Sequence, residues 1–86
     1  MPSTTATVGS AVGLHARPAT IIAEAVADSG STVTLELEGG DPVDAGSALM
    51  IMTLGAEKGA KVVVTAEDQA ALDKIVTLVE TDLDAD

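Results

Sequence analysis

The sequence predicts an α+β domain, an open-faced sandwich in which a four-stranded antiparallel sheet is covered on one face by three helices, in the order β-α-β-β-α-β-α. Three observations carry this. Residues 32–38 read Thr-Val-Thr-Leu-Glu-Leu-Glu, with Val33, Leu35 and Leu37 on one side and Thr34, Glu36 and Glu38 on the other. Two longer segments, 16–28 and 68–83, repeat their aliphatic residues at helical spacing. Strand-like and helix-like segments alternate along the chain, and strands with a single apolar face require a sheet that is wet on one side and covered on the other.

The elements follow in chain order. Residues 4–8 alternate polar and apolar, predicting a first strand with Ala6 and Val8 inward, and residues 9–13 are loop. The first helix, 16–28, has no internal glycine. Pro18 falls in its first turn, where the missing N–H costs nothing. Ala19, Ile22, Ala23 and Val26 form the inward face, and Gly30 is the stop signal. After the strand at 32–38, Gly39-Gly40-Asp41-Pro42 is a turn and 43–45 a short returning strand. Residues 47–53 are a short helix with Ser47 as N-cap. Residues 61–65 form a β-branched strand. Asp68 caps the last helix, 68–83, whose inward stripe is Leu72, Ile75, Val76, Val79 and Leu83. The closing residues 82–86 set acids at a helix C-terminus, against the dipole, and are expected to fray.

The chain has 86 residues, 47% of them apolar and none aromatic. One domain, 1–86, is expected, with a core of Val, Ile, Leu, Ala and Met that gains ~1.5–3 kcal/mol per fully buried large side chain. There is no cysteine, which excludes disulfides and thiolate metal sites and makes a reducing cytoplasm the expected location. No metal site is expected. No apolar run reaches the ~20 residues that span a bilayer, and the first residues lack a signal-peptide pattern. The net charge is −10, from fourteen acidic and four basic residues. Nucleic acid and anionic membranes are therefore not expected partners, since both are approached with positive charge.

Against that acidity one segment stands out. The only arginine, Arg17, lies two residues from the only histidine, His15, in Gly13-Leu14-His15-Ala16-Arg17-Pro18-Ala19. His15 falls at the mouth of the first helix, where backbone N–H groups and the positive end of the dipole make an anion site. Arg17 adds a permanent charge with donors matched to phosphate oxygens, and Gly13 leaves room for a group to approach. Histidine is an unusual cap, since Ser, Thr, Asp and Asn are preferred. A neutral imidazole has a lone pair with which to attack phosphorus. The sequence carries no second histidine and no nucleophile–base–acid set that would turn the site into a hydrolase.

The segment 13–19 resembles the active-site signature of HPr, the histidine-containing phosphocarrier family of the bacterial phosphoenolpyruvate:sugar phosphotransferase system. A second stretch, Ala45-Gly46-Ser47-Ala48-Leu49-Met50-Ile51-Met52-Thr53-Leu54-Gly55, resembles that family's regulatory-serine segment, in register with the first. The resemblance covers essentially the whole chain. It implies that His15 accepts a phosphoryl group on Nδ1 from enzyme I and passes it to sugar-specific EIIA domains, as a stoichiometric carrier with no cofactor, in a cytoplasmic monomer. It implies that Arg17 stabilises the phosphorylated state and that the backbone N–H groups of Ala16 and Arg17 complete the cradle. Ser47 matches the serine that an HPr kinase/phosphorylase modifies in many members. Docking is expected on the surface between the first two helices, with Thr20, Ile21, Glu24, Ala48, Leu49 and Met52 facing outward, Ala25 beside Ile21, and Ile51 and Leu54 in the core. Two positions depart from the pattern. Val12 stands where some members have an Asn able to hydrogen-bond the imidazole, and Glu24 stands where several have a Lys. The rival readings are a carrier of the nitrogen branch, with the same chemistry, and a regulatory HPr-like binding module, against which His15 counts.

Overall fold

The computed structural model describes residues 2–9 and 13–81. Its elements are β1 (Ser3–Thr7), α1 (Ala16–Ser29), β2 (Val33–Leu37), β3 (Val43–Asp44), α2 (Ala48–Thr53), β4 (Lys61–Ala66) and α3 (Gln69–Glu80). This is the predicted order. Val12, Leu83 and the acidic tail at 82–86 lie outside the described residues.

The sheet order is β1-β4-β2-β3, with every neighbouring pair antiparallel. The valine-rich β4 takes a central place, where its side chains can meet partners on both sides. Val62 lies opposite Ala6 and Leu37, and Val64 opposite Thr4 and Leu35. Ala6, Val33, Leu35, Val62, Val64 and Ala66 are fully buried on the inner face, while Thr5, Val63 and Glu36 form a row on the outer one. Val8, predicted as the last residue of the first strand, lies one past it. It remains buried and is held by hydrogen bonds to Ala60 and Gly59, both at 2.9 Å.

The helices cover the inner face, with α1 packed against both α2 and α3. Ile22, Leu35, Ile51, Leu72 and Ile75 are the largest fully buried side chains. The caps are as predicted. Gly30 ends α1 in the left-handed conformation (φ +68°), the Ser47 hydroxyl accepts from the Met50 amide at 3.3 Å, and the Asp68 carboxylate accepts from the Ala71 amide at 2.7 Å.

The packing corrects one expectation on α1. Ala25, expected outside, is buried, whereas Ala23, expected in the core stripe, is only half-buried. A helix flanked on both sides buries a wider arc than a single stripe, and on α1 that arc is Pro18, Ala19, Ile22, Ala25 and Val26. Leu54 is likewise half-buried where Ile51 is fully enclosed. It is the residue at which α2 ends.

Candidate functional site

His15 stands at the N-cap of α1 with an extended backbone (φ −91°, ψ −161°), and its carbonyl accepts from the Ala19 amide at 2.9 Å to close the first turn. Its side chain takes no part in capping, and the residue is exposed. A helix cannot satisfy its own first N–H groups. Here the third helical residue is Pro18, which has none. The donors that α1 itself leaves open are therefore the amides of Ala16 and Arg17, next to His15 and at the positive end of the dipole. Arg17 is exposed beside them. Proline thus limits the opening to two backbone donors and fixes the backbone just behind them.

The approach to α1 is aimed by contact with a distant segment. Gly13 has φ +80°, and a Cβ there would overlap the Ala56 carbonyl oxygen and crowd the Glu57 Cα at 2.9 Å. The next residue, Leu14, is buried, and its amide donates to that same Ala56 carbonyl at 2.9 Å. Only glycine permits both the left-handed backbone and the close approach. Beside this seam, Leu14, His15, Met52, Gly55, Ala56 and Glu57 line an open depression. Residues 55–57 were not foreseen as part of the site, because some forty positions separate them from His15. The one signal was Gly13, whose close approach has to be to something.

The remaining predicted residues fall around this centre in different ways. Thr20 is exposed, with its hydroxyl donating to the Ala16 carbonyl at 2.7 Å. Glu24 is exposed and Ile21 half-buried. Ile21 lies seven residues before Asp28 and so shares its face, which borders α3 at a second depression lined by Asp28, Asp68, Ala71 and Lys74. It is therefore on the flank of α1 away from α2. On α2, Ala48 is half-buried, Leu49 is 69% exposed and Met52 is 37% exposed, while Met50, not among the predicted residues, is 40% exposed. Ser47 is half-buried and serves as the helix cap. Among the described residues, no group of three or more His, Asp or Glu side chains could hold a metal ion, and no helix is long and apolar enough to cross a membrane.

Comparison with known proteins gives the family. Residues 2–81 match the family model described as the phosphotransferase-system HPr component phosphorylation site. The chain is 40% identical over 80 residues to the phosphocarrier protein HPr of Streptomyces coelicolor, an alignment that takes in 90% of this chain and 86% of that one. Among solved structures it is similar to HPr from Thermoanaerobacter tengcongensis, with a TM-score of 0.87 and 29% identity, covering 100% of this chain and 99% of that one. It is also similar to HPr from Bacillus anthracis, with a TM-score of 0.83 and 26% identity, covering 91% and 95%. A family match along nearly the whole length, on a fold whose layers and strand order were reached without it, leaves one assignment: the chain belongs to the HPr family, the phosphocarriers of the phosphotransferase system.

Proposed function

We propose that His15 is the residue that carries the phosphoryl group, on Nδ1, between enzyme I and the EIIA domains of sugar permeases. The single observation that carries this reading is the start of α1. An exposed imidazole occupies the N-cap, and Pro18 leaves the amides of Ala16 and Arg17 as the helix's own open donors beside it. The lone pair of the ring nitrogen forms the new bond to phosphorus as the bond from phosphorus to the donor breaks, its electron pair staying with the donor. The phosphoryl oxygens then lie where two amides, a helix dipole and the Arg17 guanidinium favour negative charge. Transfer onward reverses the step on a second protein. The reading needs no cofactor, and the chain acts as a stoichiometric carrier, in the cytoplasm and as a monomer.

Thr20, Glu24, Ala48, Leu49 and Met52 surround the site and form the docking surface in this reading, with Ile21 at its far flank. Exposed aliphatic and thioether side chains suit a face that must fit more than one partner. Ser47 is a further modification site by the resemblance. An HPr kinase/phosphorylase acting there would add ~−2 charge at the start of α2, beside Ala48 and Leu49.

The test is direct. The protein is incubated with phosphoenolpyruvate and enzyme I from its own organism. One phosphoryl group that is acid-labile and base-stable is expected on the wild type and absent from His15→Ala. Label that survives in His15→Ala refutes the assignment.

A further inference from the structure

The chain has no cysteine and no aromatic residue, so the thioether sulfurs of its three methionines are its softest and most readily oxidised groups. Met1 lies outside the described residues. The other two stand on α2, on either side of the fully buried Ile51, and solvent reaches both: Met50 is 40% exposed and Met52 37%. Two positions along a helix turn the side chain by about 200°, so the two sulfurs leave α2 on opposite sides. Met52 lines the depression that holds His15, with Leu14, Gly55, Ala56 and Glu57, and Met50 does not.

That placement gives oxidation of the two residues different consequences. A thioether is a weak hydrogen-bond acceptor and otherwise an apolar group, whereas its sulfoxide is polar and chiral. For a phosphoryl group to reach the imidazole, its donor has to close over this depression, and the Met52 side chain is enclosed with it. A sulfoxide enclosed there loses water that the thioether never held. Its oxygen, which bears partial negative charge, also faces the oxygens of the incoming phosphoryl group. The sequence of α2, Ala-Leu-Met-Ile-Met-Thr, has no charged side chain to pair with it. The same change at Met50 falls outside the depression.

We propose, resting on the carrier reading above, that Met52 is a site of reversible oxidation by hydroperoxides and that its sulfoxide slows the loading of His15. A lone pair of the sulfur attacks the distal peroxide oxygen. The S–O bond forms as the O–O bond breaks, the proton of the transferred hydroxyl passes to the departing oxygen, and water leaves when the oxidant is hydrogen peroxide. The sulfur gives up one electron pair and the peroxide takes it. A methionine sulfoxide reductase returns that pair from its thiols, with one enzyme for each epimer of the sulfoxide.

The experiment treats the folded chain with hydrogen peroxide and locates the added oxygen by tandem mass spectrometry. The circular dichroism melt is recorded before and after, and loading is measured with phosphoenolpyruvate and enzyme I of the same organism once the peroxide has been removed. Treatment is expected to lower kcat/KM for the chain about tenfold while the melt is unchanged. Treated Met50→Leu loses as much as treated wild type, and treated Met52→Leu keeps its untreated rate. Incubation with both classes of methionine sulfoxide reductase restores loading of the wild type, which damage to His15 itself does not allow. A chain with Met52 converted to its sulfoxide that still loads at the untreated rate overturns the proposal. So does treated Met52→Leu that slows as far as wild type, or a Met52 that stays unoxidised while Met50 is converted. In each of these cases loading of the untreated wild type still upholds the carrier reading. An untreated wild type that is never loaded overturns both.

Discussion

Gly13→Ala tests how the site is aimed. Two separate penalties are expected. Alanine at φ +80° adopts the left-handed region at a cost of ~1–2 kcal/mol. Its Cβ also overlaps the Ala56 carbonyl oxygen, so the loop has to back away and the hydrogen bond from the Leu14 amide, now 2.9 Å, is stretched or lost, at roughly 0.5–1.5 kcal/mol. The total is about 1.5–3.5 kcal/mol, or roughly 6–28 °C in Tm for a domain of this size. Gly30 supplies the control. It too has positive φ (+68°), but a Cβ there meets nothing within 4 Å, so Gly30→Ala carries only the first penalty, ~1–2 kcal/mol. With no aromatic residue in the chain, unfolding is followed by far-ultraviolet circular dichroism in urea. Phosphorylation of folded Gly13→Ala by enzyme I is then compared with wild type, and displacement of His15 by about an ångström lowers the rate on the order of a hundredfold. If Gly13→Ala destabilises no more than Gly30→Ala and loads at the normal rate, the contact with Ala56 does not position the histidine.

Other outcomes are expected of the same structure. Arg17→Glu impairs loading by enzyme I while the circular dichroism melt stays at the wild-type temperature, because Arg17 is exposed; transfer at the wild-type rate contradicts its role. Ile51→Ala and Ile75→Ala, at fully buried sites, lose about 2–5 kcal/mol in urea unfolding. Ser47→Ala and Asp68→Ala each lose ~1 kcal/mol of cap energy, measured the same way, while Ser47→Asp retains most of it. Glu67 accepts hydrogen bonds from Thr32, from the side chain first and then from the amide at 2.9 Å, which hold its carboxyl below the usual 4.5. Its folded-state pKa is thus lower than its unfolded one, so the stabilisation is complete above about pH 4.5 and disappears as acid takes the pH through the folded value. Glu67→Gln flattens that acid limb in a pH series of urea melts, and an unchanged limb contradicts the assignment.

Much of this fold was legible because local rules and tertiary structure agree. The alternation Val33, Leu35, Leu37 needs only a covered face, and Gly30, Ser47 and Asp68 act within one turn of themselves. Ala25 and Ala23 were exchanged because alanine carries little hydrophobic signal. Which of the two is buried depends on how the neighbouring helices sit, and no period in α1 contains that. The candidate site divides in the same way. His15, Arg17 and Pro18 could be joined on paper, since all belong to one helix start. Ala56 and Glu57 could not, because their place beside His15 is set by the path of the chain from α2 into β4.

That path also fixes the order in which the protein can be completed. β1, first along the chain, has no sheet neighbour except β4, which comes after two of the three helices, and β2 gains its second edge only from the same strand. During synthesis the early segments wait, with Ala6 and Val8 uncovered, until residues 56–66 have been made. Pairings this far apart in sequence close slowly, and unpaired edges are exposed while they do. A partly made chain therefore holds His15 long before it holds the Ala56 carbonyl that aims it. β4, set between β1 and β2, closes the sheet, and the segment that leads into it brings the Ala56 carbonyl to the start of α1.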